Sequence, residues 1–184
     1  MQLIGITGRA GCGKDTVARF LCDAHGFVQI ALADPLRDGI KAMLGLTDEQ
    51  LHNRDLKEAS IDWLCKSPRE LLQTLGTEWG REQVAPDLWL RVAARRIASI
   101  KASPPCLHVA GIVVSDIRFE NEAEWLRAQG GALWHIQRPG ITSGSAGHVS
   151  ENGITRADSD FVIANDKTIA DLEELVAEIL MEVL

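Results

Sequence analysis

No stretch of this 184-residue chain approaches the apolar length of a membrane span. Its N-terminus lacks the basic region followed by an apolar segment that marks a secretion signal. The first strand-like run starts at Gln2, which leaves nothing for targeting. Cysteine is scarce: Cys12, Cys22, Cys65 and Cys106 show no paired C-x-x-C spacing, so a reducing, cytoplasmic setting is expected. Positive charge is also in deficit, with 19 Lys and Arg against 26 Asp and Glu and a net charge of −7. That argues against wholesale binding to nucleic acid, which needs a basic face. A small anion is still admissible, because local arginines override the global sign. There is no internal repeat and no second domain boundary. Apolar residues at 46% and charged ones at 24% suit one soluble domain over 1–184.

What is present begins at the amino end. Residues 8–16 read GRAGCGKDT, after the apolar run Leu3-Ile4-Gly5-Ile6 and before a helical pattern. Backbone N–H groups of such a loop cradle phosphate oxygens, and the helix dipole adds positive potential. Gly8, Gly11 and Gly13 allow positive φ and close approach to an anion. Lys14 reaches the β- and γ-phosphates as a compact charge. The spacing Gly8-x4-Gly13-Lys14 is that of a phosphate-binding P-loop. Asp15 departs from it, standing where Ser or Thr usually ligates magnesium, and Thr16 follows.

Strand-like runs fall at 3–7, 27–31, 111–115, 132–137 and 161–164, with helical patterns between them. That alternation predicts a largely parallel sheet covered on both faces. A helix is expected over about 13–24, stopped by Gly26. The interval 34–107 is helical throughout. Thr47-Asp48-Glu49-Gln50 and Ser67-Pro68-Arg69-Glu70 read as capping boxes, the second with proline at the first helical position. Leu71, Leu72 and Leu75 form its buried stripe. A further helix carries Trp89, Ala93, Ile97 and Ile100, and Pro104-Pro105 stops it. Helices over 121–129 and 169–184 complete the pattern. Residues 139–153 are rich in glycine and serine without periodicity, as a lid, a binding loop or a disordered segment would be.

Chemistry-bearing side chains gather at the ends of the runs. Asp116 follows the third strand, where a carboxylate holds magnesium in such folds or caps the next helix. Arg118 either grips a phosphate or is a solvated surface residue. Arg138, after the fourth strand, opens the glycine-rich segment and could complete a cage around a transferring phosphoryl group. Arg69 and Gln73 lie four apart on one helix face. They read as a phosphate and base contact for an acceptor nucleotide, or as the solvent face opposite the leucines. Trp79 stacks on a base or packs, and packing suits Trp89. Asp34-Pro35-Leu36-Arg37 follows strand two, at the sheet edge where an acceptor would bind. His148 and Glu151 fall late in the glycine-rich segment and are acceptor contacts or ordinary loop residues.

These blocks together resemble the bacteriophage-type deoxynucleoside monophosphate kinases of the P-loop kinase superfamily. The matching stretches are GKDT at 13–16, ADPLR at 33–37, SPRELLQTLGTEWGR at 67–81, PDLW at 86–89, VSDIRFENEAEW at 114–125, HVSE at 148–151 and AND at 164–166. They keep their order across nearly the whole chain. The resemblance implies an α/β, three-layer P-loop kinase fold. Its sheet is five-stranded and mainly parallel, with helices on both faces. A helical acceptor-binding insert spans about 34–107, and a lid about 138–157. ATP is the implied donor, with magnesium, and a (deoxy)nucleoside 5′-monophosphate is the acceptor. Small nucleotides are the implied partners, without nucleic acid or membrane. The setting is cytoplasmic (the host's, for a phage-encoded chain), and a homodimer is admitted.

Carried onto this sequence, Lys14, Arg118 and Arg138 are catalytic. Gly8, Arg9, Ala10, Gly11, Cys12, Gly13, Lys14, Asp15 and Thr16 bind ATP. Asp34, Arg37, Arg69, Gln73, Trp79, Arg81, Glu122, His148 and Glu151 contact the acceptor, and Asp15, Thr16 and Asp116 serve the metal. The nearest rival is a P-loop kinase of another small substrate, such as dephospho-coenzyme A or a phosphorylated alcohol. A GTPase switch would need D-x-x-G after the third strand and N-K-x-D later. Here Asp116 is followed by Ile117-Arg118-Phe119, and 164–167 reads Ala-Asn-Asp-Lys. A nucleotide-binding scaffold without catalysis sits badly with the retained Lys14 and arginines.

Overall fold

Strand β1 (Gln2–Thr7) is buried from its second residue on, and β3 (Gly111–Val114) is buried throughout. Strands covered on both faces require such runs. The computed structural model describes residues 1–102, 109–140 and 154–183. Together with β2 (Phe27–Ile30), β4 (Ala132–Gln137) and β5 (Phe161–Ala164), these strands form one sheet in the order β2-β3-β1-β4-β5. Every pairing is parallel, and Ile4 stands in register with Val113 on one side and Ala132 on the other. The expected parallel α/β sheet is therefore present, with β1 at its centre. Strands β2 and β3 each end one residue earlier than the sequence pattern predicts. The ladder nevertheless reaches Ser115, whose N–H donates to Ile30 O at 3.1 Å.

Two compact units divide the chain: Met1–Ala31 with Arg95–Leu184, and Leu32–Ala94. In the first, alternation along β1 and β4 sends Ile4, Ile6, Trp134 and Ile136 to one face. There they pack with Val17 and Leu21 of α1 (Lys14–His25) and Leu172 and Val176 of α8 (Ile169–Val183). Gly5 faces the other way, toward α7 (Glu120–Ala128). A Cβ at Gly5 would run into Leu126 and come within 3.1 Å of Ile117, so only glycine lets α7 lie this close to the strand. Helices thus cover both faces. Helix α1 ends where expected, at Gly26, whose φ is 67° and whose N–H donates to Leu21 O.

The second unit holds α2 (Asp34–Leu44), α3 (Asp48–His52), α4 (Arg54–Glu58), α5 (Pro68–Gln73), a π-helix (Thr74–Val84) and the first half of α6 (Leu88–Lys101). Its core is Ile40, Leu46 and Leu51, against which Leu71, Leu72 and Leu75 pack half-buried. Both expected capping boxes form: Thr47 with Gln50, and Ser67 with Glu70. The helix begun at Pro68 does not stay α-helical. From Thr74 it widens, and its hydrogen bonds run five residues back, as from Ala85 N–H to Gly80 O at 3.0 Å. π-Helices are rare, and most are single turns within α-helices. The cause here is tertiary. Trp89 is buried, its indole Nε1 donates to Gly76 O at 2.7 Å, and a Cβ on Gly80 would lie 2.5 Å from its Cζ2. Two glycines and one indole hold the wide turn open. The stop expected at Pro104-Pro105 and most of the lid expected at about 138–157 lie outside the described residues.

Candidate active site

The loop from Gly8 to Gly13 leaves the carboxyl end of the central strand, and its backbone has one shape available to it. Gly8, Gly11 and Gly13 have φ of 146°, 77° and 106°, values that side chains tolerate poorly. At Gly8 a Cβ would also strike Ile136 O and lie 2.7 Å from Cys12 Sγ. At Gly13 it would run into Asn165 Nδ2. Space as well as torsion demands glycine at both positions.

Gly13 is the N-cap of α1, and no side chain among the described residues caps that helix end. The amides of Lys14, Asp15 and Thr16 in the first turn have no intrahelical acceptor, so they present donors and the positive helix end together. Lys14 Nζ curls back over the loop, donating to Gly8 O at 2.7 Å and Arg9 O at 2.8 Å. Burial pushes its ammonium below the usual range. Arg118 pushes the same way, while the Cys12 thiol, Asp15 and Asp116 oppose it. Those couplings place Asp116 and Arg118 in the electrostatic reach of Lys14. Cys12 is buried inside the loop, and burial pushes its thiol up. It fills the curve as a small apolar group.

Because the sheet is parallel, the ends of β3, β1 and β4 emerge side by side, where ligands bind in open α/β sheets. Asp116, 9% exposed, stands two residues beyond β3. Arg118 is exposed just past it, and Arg138, also exposed, follows β4. The fold therefore flanks the phosphate loop with Asp116 and Arg118 on one side and Arg138 on the other. Glu122, which the resemblance counts among acceptor contacts, is placed differently. It is 1% exposed, and its Oε2 accepts from the N–H groups of Arg118 at 2.6 Å and Phe119 at 3.1 Å. It caps the start of α7 and shapes the segment carrying Arg118. A glutamate in the first turn of a helix was open to that reading from sequence alone.

The second unit carries the remaining candidates. Arg37 and Asp34 pair within the first turns of α2 at 3.0 Å, and the buried Arg37 Nε has no hydrogen-bond partner among the described residues. Helix α2 packs on α5, where Arg69 is ion-paired with Glu58 of α4. Gln73 and Arg81 are half-buried. Trp79 is exposed on the π-helix, with its ring centroid 6.4 Å from that of Trp89. His148 and Glu151 lie outside the described residues. Sequence reasoning gave no individual role to Asn165, whose Nδ2 donates to Cys12 O at 2.8 Å. It appeared only within the AND block, and a bridge across 153 positions leaves no local signal.

A sequence model described as "Deoxynucleotide monophosphate kinase" matches residues 64–176. A protein of Acanthamoeba polyphaga mimivirus, provisionally named a deoxynucleotide monophosphate kinase, is 36% identical over 154 residues, covering 78% of this chain and 77% of the other. The deoxynucleoside-5′-monophosphate kinase of Escherichia phage T5 is 28% identical over 185 residues, covering 68% and 71%. Among solved structures, TT1252 from Thermus thermophilus is 19% identical with a TM-score of 0.48, over 100% of this chain and 98% of the other. Dephospho-CoA kinase from Campylobacter jejuni is 16% identical with a TM-score of 0.46, over 99% and 97%.

Proposed function

The chain belongs to the deoxynucleotide monophosphate kinase family, and on that premise we propose that it moves the γ-phosphoryl group of ATP to a (deoxy)nucleoside 5′-monophosphate. The products are the (deoxy)nucleoside diphosphate and ADP. The observation that carries the reading is the loop at the end of β1. It ends on an uncapped helix terminus and holds the Lys14 ammonium over its curve.

Lys14 and the amides of the first turn of α1 take the β- and γ-phosphates. Arg118 and Arg138 offset charge on the γ-phosphoryl oxygens, where phosphoryl transfer concentrates it. An acceptor phosphate oxygen forms the new bond to the γ-phosphorus as the bond to the β–γ bridging oxygen breaks. No general base is needed, since that acceptor is already anionic. Among the described residues no three His, Cys, Asp or Glu side chains form a metal cage. Magnesium in kinases needs only one or two carboxylates beside phosphate oxygens. Asp116, with Thr16 and Asp15 in the first turn of α1, therefore fits an ion that arrives with ATP. Bound there, Mg²⁺ would neutralise charge on the β- and γ-oxygens.

The second unit supplies the acceptor contacts in this reading. Arg69, Arg37 and Arg81 answer a monophosphate, Gln73 a base edge and the exposed Trp79 a base face. Asp34 orients Arg37. Small nucleotides are the partners, in the cytoplasm (the host's, for a phage-encoded chain), with a homodimer as the proposed assembly. Among the described residues no helix is long and apolar enough to cross a membrane. The test is Lys14→Ala with ATP and each common monophosphate, ribo and deoxy. Monophosphate-dependent ATP consumption is expected to disappear while the circular dichroism spectrum is kept. Unchanged turnover in that variant refutes the donor-site assignment.

A further inference from the structure

Asn165 stands one residue beyond β5, 9% exposed. Its backbone N–H donates to Gln137 O at 2.7 Å, so the residue is tied to the sheet through β4. Its side chain reaches the phosphate loop, where Nδ2 donates to Cys12 O at 2.8 Å. The same Nδ2 lies where a Cβ on Gly13 would have to go.

The consequence follows from the peptide plane. The Cys12–Gly13 bond is trans, so the Cys12 carbonyl and the Gly13 N–H point in opposite directions from one rigid unit. A partner that captures the carbonyl therefore aims the amide. A carbonyl turned to the phosphates would repel them. Held by Asn165, it instead leaves the Gly13 N–H directed into the anion-binding curve, next to the first-turn amides of α1. We propose that Asn165 is a positioning residue for the phosphoryl donor, orienting the Gly13 N–H by holding the Cys12 carbonyl. The proposal rests on the reading of this loop as the ATP site.

Asparagine suits the task because its amide donates to the carbonyl without bringing charge near the phosphates. Asn165→Asp keeps the shape, removes the donor and sets a carboxylate against a carbonyl oxygen. In the full-length chain, calorimetric titration with a non-hydrolysable ATP analogue is expected to show Kd raised about tenfold or more. The KM for ATP rises with it, and the KM for the monophosphate stays within about twofold. A residue needed only for folding would lower the melting temperature and leave the analogue's Kd per folded molecule unchanged; that result overturns the proposal.

A second measurement covers poor folding of that variant. Gly13→Ala is compared in the wild-type chain and in Asn165→Ala. The loss of analogue affinity is expected to be smaller in the second background, because the new methyl group no longer meets Nδ2. Strictly additive losses overturn the proposal. Lys14→Ala serves as the control. If it keeps the analogue's affinity, the ATP-site reading falls. If it loses that affinity while Asn165→Asp retains it, only the role of Asn165 falls.

Discussion

Asp160, just before β5, has a carboxylate with no solvent exposure, held by four donors. Arg127 of α7 donates through Nε at 3.0 Å and a terminal nitrogen at 2.5 Å; Ala157 N–H and His135 Nε2 approach at 2.9 and 3.0 Å. Burial alone would push the carboxyl up. The Arg127 fork, the Ala157 amide and His135 outweigh it and hold the group at about 2, against an ordinary 3.8. A depression of that size is worth about 2 kcal/mol of stability near neutral pH. Because the folded value is the lower one, the contribution is complete above about pH 5 and shrinks as pH falls from there toward 2. Roughly half is gone by pH 3. Asp160→Asn removes the charge and forces an amide N–H against donors. Urea unfolding followed by tryptophan fluorescence should show the variant about 2 kcal/mol less stable at pH 7, with a melting temperature lower by about 4–8 °C for a chain of this size. The gap should narrow at pH 3. A gap of equal size at pH 7 and pH 3 refutes the electrostatic account and leaves only packing.

In the second unit, Gly80→Ala brings a methyl group against the buried Trp89 ring, 2.5 Å from Cζ2 and 2.8 Å from Nε1. Overpacking of this kind costs about 1–3 kcal/mol, read as a lower midpoint in thermal unfolding; an unchanged midpoint means that the π-helix does not depend on this contact. Arg69 should give effects of opposite sign in steady-state kinetics. Arg69→Ala raises the monophosphate KM and spares that for ATP, whereas Glu58→Gln frees the guanidinium from its ion pair and lowers the monophosphate KM. If both leave that KM alone, the acceptor phosphate is not held by Arg69.

The shape of the glycine loop proposed to bind phosphate was legible because everything it needs is local. One strand, three glycines, a lysine and a helix start within 16 residues, and each has a backbone reason to be where it is. The caps at Thr47 and Ser67 were legible for the same reason, as hydrogen bonds closing over three positions. The alternation of strands and helices fixed the class of the sheet. Periodicity alone was silent on its order, because nothing local says that β1 lies between β3 and β4. The π-helix was out of reach as well. The segment 74–84 carries two glycines, Gly76 and Gly80, within an otherwise ordinary helical stretch, and the widening depends on an indole that arrives at Trp89. Glu122 shows a different limit. A carboxylate in the first turn of a helix serves a ligand or the backbone equally well in sequence, and only its burial settles which.

A chain with net charge −7 can still present a locally positive surface to an anion. Acidic residues collect along α8, where Asp171, Glu173, Glu174, Glu178 and Glu182 lie on one helix. Lys14, Arg118 and Arg138 instead emerge where the ends of β3, β1 and β4 meet, beside the positive end of α1. Charges separated by more than a Debye length, about 8 Å at physiological salt, are largely screened from one another. Fixed amides and a half-buried ammonium at short range are screened far less. In the proposed reading the nucleotide meets the local field of the loop rather than the global sign. On this argument a triphosphate in the proposed backbone cradle is almost unaffected by the distant acidic side chains.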